Sequence, residues 1–177
     1  MTDLIQTINL DKLREILQQA GYRVETVVDP IAATPYLRSA TAGLAFDIRL
    51  GNRLAGEDGG FADVAFTAVL QVQGELPLDL VNRWNATRRF ARLQLSQAFL
   101  VLCMDVTVAG GVVPNHLRAH VEIWDRLVQE LITYLRDELR QLGSANGAAA
   151  PVAQGQAPTP EPAREPAAAS SASATIQ

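Results

Sequence analysis

The chain has 177 residues, 48% of them hydrophobic and 19% charged, which fits one soluble domain of ordinary core size with some residues to spare. A formal charge of −4 at pH 7 and a pI near 5.1 argue against nucleic acid as the main partner, because neutralising phosphates takes an excess of Lys and Arg. Cys103 is the only cysteine, so an intrachain disulfide is excluded, and MTDLIQTINLDKLREIL lacks the charged start, apolar run and cleavage site of a signal peptide. No apolar run approaches the roughly 20 residues that span a bilayer. Together these features point to a cytoplasmic protein.

LDKLREILQQA predicts a first helix, with Leu10, Leu13, Ile16 and Leu17 on one face, Asn9 or Asp11 as the cap and Gly21 as the stop. From Tyr22 to Gly74 the period falls to two. YRVETVV, YLRSATA, LAFDIRL and FADVAFTAVLQVQ read as strands joined by short links, with Gly43 between the second and third and the turn-rich GNRLAGEDGG before the fourth. Such strands pair antiparallel as a meander. The two carboxylates of GEDGG, residues 56 to 60, lack calcium-loop spacing and read as a solvated hairpin tip.

Pro77 opens a second helix, PLDLVNRWNATRRF, in which Leu80, Val81 and Trp84 share a face. Two more strands follow, ARLQLS and FLVLCMDVTVAG, with a tight link near Gln97 and a stop at Gly110 and Gly111. Pro114 to Leu142 is the longest element: Leu117, Val121, Trp124, Val128, Leu131 and Leu135 recur four and three apart, while Ile123, Leu127, Ile132 and Leu139 widen the stripe. Gly143 ends this helix.

Strands that come in runs, and not in alternation with helices, give an α+β fold, an antiparallel sheet meander with helices packed on it in the order α-β-β-β(-β)-α-β-β-α. The domain is expected at residues 1–142. Residues 143–177, SANGAAAPVAQGQAPTPEPAREPAAASSASATIQ after Gly143, hold five of the nine prolines and no aromatic, a composition that predicts a disordered tail.

No motif points to catalysis. His116 and His120 have the spacing of a shared metal on a helix, but no third ligand stands near them, so no metal or cofactor is expected. AGGV, residues 109 to 112, lacks the pattern of a phosphate loop and reads as a strand-ending turn. Cys103 has no base paired with it by any motif.

The polar cluster VNRWNATRRF is the candidate contact surface: Asn82, Trp84, Asn85, Arg88 and Arg89, joined by Arg92 and Asp105, offer forked guanidinium donors to acidic groups. Arg83, Arg88, Arg89 and Arg92 would have to share one continuous surface to bind nucleic acid. Asn82, Asn85, Arg88 and Asp105 would have to converge around a pocket to make a small-ligand sensor or an unrecognised enzyme.

LVNRWNATRRFARLQL, with Asn82, Trp84, Asn85 and Phe90, then FLVLCMDVTVAGGV with Asp105 and the Gly110/Gly111 pair, then a long amphipathic helix, resemble the YbjN family of bacterial sensory transduction regulators. Gly21 and Tyr22 after the opening helix agree, and the resemblance covers most of residues 9 to 140. LSQAFL, residues 95 to 100, departs from it, since an acidic or Gly-containing turn is expected there. The resemblance implies a fold like that of class I type III secretion chaperones, frequent dimerisation, binding of partner proteins, and neither catalytic residues nor a cofactor.

The function expected is therefore a non-enzymatic, cytoplasmic, chaperone-like adaptor or regulator that binds a protein and forms a homodimer. The spacing from Leu117 to Leu135 allows a helix-to-helix dimer seam at Ile123 and Leu127, although packing on the sheet predicts the same stripe.

Overall fold

The structure, a computed structural model, describes residues 4–55, 60–73 and 75–148, with the backbone alone for 142–148. It is α+β: α1 (Leu10–Gln19), β1 (Glu25–Val28), β2 (Pro35–Thr41), β3 (Leu44–Leu50), β4 (Asp63–Gln71), α2 (Leu78–Thr87), β5 (Arg92–Ser96), β6 (Phe99–Thr107) and α3 (Pro114–Ala148). The strands form one six-stranded antiparallel sheet in the order β1-β2-β3-β4-β6-β5.

Local chemistry sets the element ends. Asn9 caps α1, its side-chain oxygen accepting the Lys12 N–H at 2.8 Å. At the other end Gly21, at φ +90°, lets Gly21 N–H reach Gln18 O and Tyr22 N–H reach Leu17 O, both at 3.0 Å, which satisfies two of the last carbonyls. Ala42 and Gly43, both at positive φ, form the two-residue link from β2 to β3. Gln97 and Ala98 link β5 to β6, and Gln97 takes φ +53°, a conformation glycine adopts at lower cost.

Two helix ends differ from the expectation. α2 stops at Thr87, so Arg88, Arg89 and Phe90 lie outside it: Arg88 is extended and Phe90 sits at φ +73°. The chain has to turn there into β5, whose Leu93 bonds back onto Asn85 of α2. Gly143 does not end α3, which runs on to Ala148. One glycine in a helix interior costs about 1 kcal/mol, which a long, already nucleated helix absorbs. Of the expected disordered tail, residues 149–177 lie outside the described residues, as do residues 56–59 of the expected hairpin tip.

One face of the sheet carries the core. Leu37, Phe46, Ile48, Val64, Phe66, Leu93, Leu102 and Met104 point to it from alternate positions and meet Leu13 and Leu17 of α1, Leu80 and Trp84 of α2, and Trp124, Val128 and Leu131 of α3. Trp124 lies 5.6 Å, ring to ring, from both Phe46 and Phe66. Trp84 lies 5.5 Å from Tyr134, which ties α2 to α3. All three helices thus pack on the same side. Leu127, 4% exposed, belongs to this core and Ile123 is half-buried, so the proposed seam at these two residues is largely used up by packing within the chain.

Candidate functional site: the open face of the sheet

Helices on one side leave the opposite side of a six-stranded sheet to be explained. Its residues are the alternate set: Tyr36, Arg38, Asp47, Arg49, Thr67, Val69, Phe99, Val101, Cys103 and Asp105, among others. On the β1–β3 half the face is roofed by its own ionic groups. Arg38 forks onto Asp47 at 2.7 and 3.1 Å, and Arg49 pairs with Asp29 at 2.8 Å while its guanidinium lies 3.9 Å from the Tyr36 ring centre. Tyr36 is thereby buried without a helix above it. Asp29, which also accepts the Ile31 and Ala32 N–H groups, has its carboxyl lowered to about 2 by those backbone bonds and by Arg49.

Arg92 spans the far side. It pairs with Asp105 across the β5–β6 ladder and approaches the Cys103 sulfur at 3.3 Å, covering that thiol. Beyond it the roof ends. Val69 is 51% exposed and Phe99 41%, with Val101 half-buried between them; Val69 pairs with Val101, and Phe99 sits next along β6. Three neighbouring apolar side chains on an uncovered sheet face form the part of this face best suited to a partner.

The residues singled out in the sequence fall on both sides of the sheet. Arg92 and Asp105 share the open face. Trp84 is 0% exposed inside the core, so it anchors α2 and touches nothing from outside. Asn85 donates to Leu93 O at 2.9 Å and accepts from Leu93 N at 2.8 Å, which satisfies the outer side of β5 at Leu93 as a neighbouring strand would. Arg88 lies over the Trp84 ring, 5.4 Å away, and pairs with Glu130 at 2.8 Å; Arg83 pairs with Glu138. Arg89 stands over the exposed Phe90, 5.6 Å from its ring centre, and Asn82 is exposed on α2.

These positions bear on the conditions that the two alternative readings require. Asn82, Asn85, Arg88 and Asp105 do not converge on a pocket, because the sheet separates Asp105 from the other three and Asn85 is spent on a backbone. Arg83 and Arg88 pair with Glu138 and Glu130 of α3 on the helix side while Arg92 pairs with Asp105 on the open face, so among the described residues Arg92 does not share one surface with the other two. His116 and His120 do meet, with ring centres 4.3 Å apart, and His120 Nδ1 bonds the His116 carbonyl at 2.8 Å. Burial and the neighbouring ring lower the His116 pKa, and among the described residues no group of three metal-type ligands forms.

A second polar cluster has no counterpart in the sequence reading. Asp125 of α3 accepts hydrogen bonds from the Thr41 hydroxyl, from Gln129 Nε2 at 2.7 Å and from the Tyr22 hydroxyl. Burial, followed by the charge of Asp125 and the bond to it, pushes the Tyr22 hydroxyl up to about 12. Tyr22, Thr41 and Asp125 line a groove of about 630 Å³ beside β2.

A model of the YbjN family, described as "Putative bacterial sensory transduction regulator", matches residues 9–137. The chain belongs to the YbjN family. A crystal structure of YbjN from E. coli, described as a "putative transcription regulator", is similar at TM-score 0.58 and 18% identity over 78% of this chain and 97% of that one, and the likeness bears on the fold. No curated protein matches the chain.

The residues that carry the YbjN resemblance have definite structural work here. Asn85 and Trp84 fasten α2 to β5 and to the core, and Gly110 and Gly111, at φ +84° and +87°, turn the chain from β6 toward α3. Among the described residues of this YbjN-family chain, no helix is long and apolar enough to cross a membrane.

Val69 and Phe99 were absent from the sequence-derived candidates. Their signal was FLVLCM itself: a strand apolar at successive positions is apolar on both faces, which means that the second face has something to meet.

Proposed function

We propose that the chain is a non-enzymatic, cytoplasmic, chaperone-like adaptor or regulator that binds a protein partner on the open face of its sheet. The observation that carries this reading is the patch of Val69, Phe99 and Val101 on a face that none of the described helices covers. A sheet face exposing large apolar groups costs solubility unless it has a use, and ion pairs guard the rest of this one. The family description as a regulator agrees with a binding role.

A homodimer belongs to the same proposal. With Leu127 in the core, the apolar stripe left over for a second copy lies farther along α3, at Leu135 and the 54%-exposed Leu139.

Affinity capture with the full chain and with Phe99→Asp, with mass measured by light scattering in parallel, tests both parts. A protein retained by the unaltered chain and released by Phe99→Asp supports the reading. Equal retention by both removes the open face from it, and a monomeric mass removes the dimer.

A further inference from the structure

The sheet has two edges, β1 and β5, and they are finished differently. Asn85 caps β5 at one position by taking both polar groups of Leu93. At the other edge β1 is short: it pairs with Pro35 to Arg38 and leaves Ser39–Thr41 of β2 running on beyond it.

The link Ala42–Gly43 decides which way those backbone groups point. A two-residue link with both residues at positive φ makes Thr41 and Leu44 the hydrogen-bonded closing pair of the hairpin. Along an antiparallel strand the polar groups then alternate, so Thr41, Ser39 and Leu37 turn toward β3, while Ala40, Arg38 and Tyr36 turn the other way. Arg38 and Tyr36 meet β1 there, opposite Glu25 and Val27. Ala40 meets no strand, and among the described residues neither its N–H nor its C=O has a backbone partner on that side. The chain that would have continued β1 has bent away toward α1, where Ser39 Oγ donates to Arg23 O at 2.7 Å in place of a ladder bond.

The groove of about 630 Å³ lies along this unpaired edge, with walls on both faces of the sheet. Ala40 and its cross-strand neighbour Ala45 leave one wall low, next to an Arg38 already matched by Asp47. The other wall is made by Tyr22, Thr41 and Asp125, where the charges of Asp125 and Glu122 both help hold the proton on Tyr22, while Arg23 and Glu25, of opposite charge, line the groove beside it. An exposed ladder position between two walls fits a strand, whose successive side chains point to opposite faces.

We propose that this groove takes an extended segment of the partner protein, which adds to the edge of β2 at Ala40 and places a lysine or arginine side chain against Tyr22, Thr41 and Asp125. The proposal rests on the protein-binding reading and names where an unfolded stretch of the partner is gripped.

Random nine-residue peptides displayed on phage and selected on the full chain, followed by amide NMR spectra with the enriched sequences, test it. Enriched peptides are expected to share a basic residue among strand-forming neighbours, to move the Ala40 amide, and to bind Asp125→Asn about tenfold more weakly. Ala45→Trp fills the low wall from an exposed position and is expected to abolish binding, which serves if Asp125→Asn does not fold. Enriched peptides that move Phe99 and Val69 but leave Ala40 still would overturn the edge site while sparing the open-face reading. Absence of any enriched peptide, or enrichment of acidic ones, would also overturn it.

Discussion

The side-chain amide of Asn85 pairs with both backbone groups of Leu93, at 2.9 and 2.8 Å, and so occupies the place where another strand would add to β5. The β5 edge is thereby capped from within at Leu93, the position where an added strand would take both backbone groups.

Replacing Asn85 with Ala therefore removes two hydrogen bonds and opens an edge. The expected cost is about 1 to 2 kcal/mol in a urea titration, with faster concentration-dependent aggregation as the exposed edge pairs between molecules. Unchanged stability and unchanged aggregation would mean that the amide does not seal the strand.

Leu127→Asp is expected to unfold the protein. The side chain is 4% exposed in the core, and burying an unpaired carboxylate there costs about 3 kcal/mol or more. A soluble, folded monomer from this variant would restore the dimer seam on that part of α3. Circular dichroism and light scattering separate the two outcomes.

Phe99→Asp, in contrast, is expected to fold, because the side chain is 41% exposed and loses mainly strand propensity, about 1 kcal/mol. Partner binding should fall while the melting curve keeps its shape. A loss of folding would show that Phe99 is part of the core.

Tyr22 gives the protein an alkaline limit. Its hydroxyl is raised from 10 to about 12 in the folded chain, so the unfolded chain gives up its proton first as the pH rises. The stabilisation is complete below pH 10 and is lost as the pH climbs toward 12. Tyr22→Phe keeps the edge-on contact with Phe46, 6.0 Å between ring centres, and should flatten this part of the stability profile, leaving a smaller slope from Tyr134, whose hydroxyl is raised as well. Denaturant midpoints between pH 9 and 12 measure it; identical slopes in the two proteins would contradict the assignment.

Much of the fold was legible because its signals are local. The Asn9 cap, the Gly21 stop, the link at Gly43 and the apolar stripe from Leu117 to Leu131 each depend on residues a few positions apart. The end of α2 was not legible, since it is set by Asn85 reaching a strand that follows it. Nor did alternation say which side of each strand the helices would cover, and so Arg92 and Asp105 could not be separated from Asn82 and Arg88 before the sheet was assembled. The cluster of Tyr22, Thr41 and Asp125 joins three distant parts of the chain, with Thr41 and Asp125 alone 84 positions apart, and leaves no local pattern.

The open face as the partner's seat is tested most directly by placing a photo-crosslinking amino acid at position 99 of the full chain in the cells that produce it. Position 78 serves as the control, because Leu78 is 67% exposed on α2, on the helix side of the sheet. A covalent adduct to a specific protein from position 99, with none from position 78, is the predicted result. Adducts from position 78 and none from position 99 would contradict it.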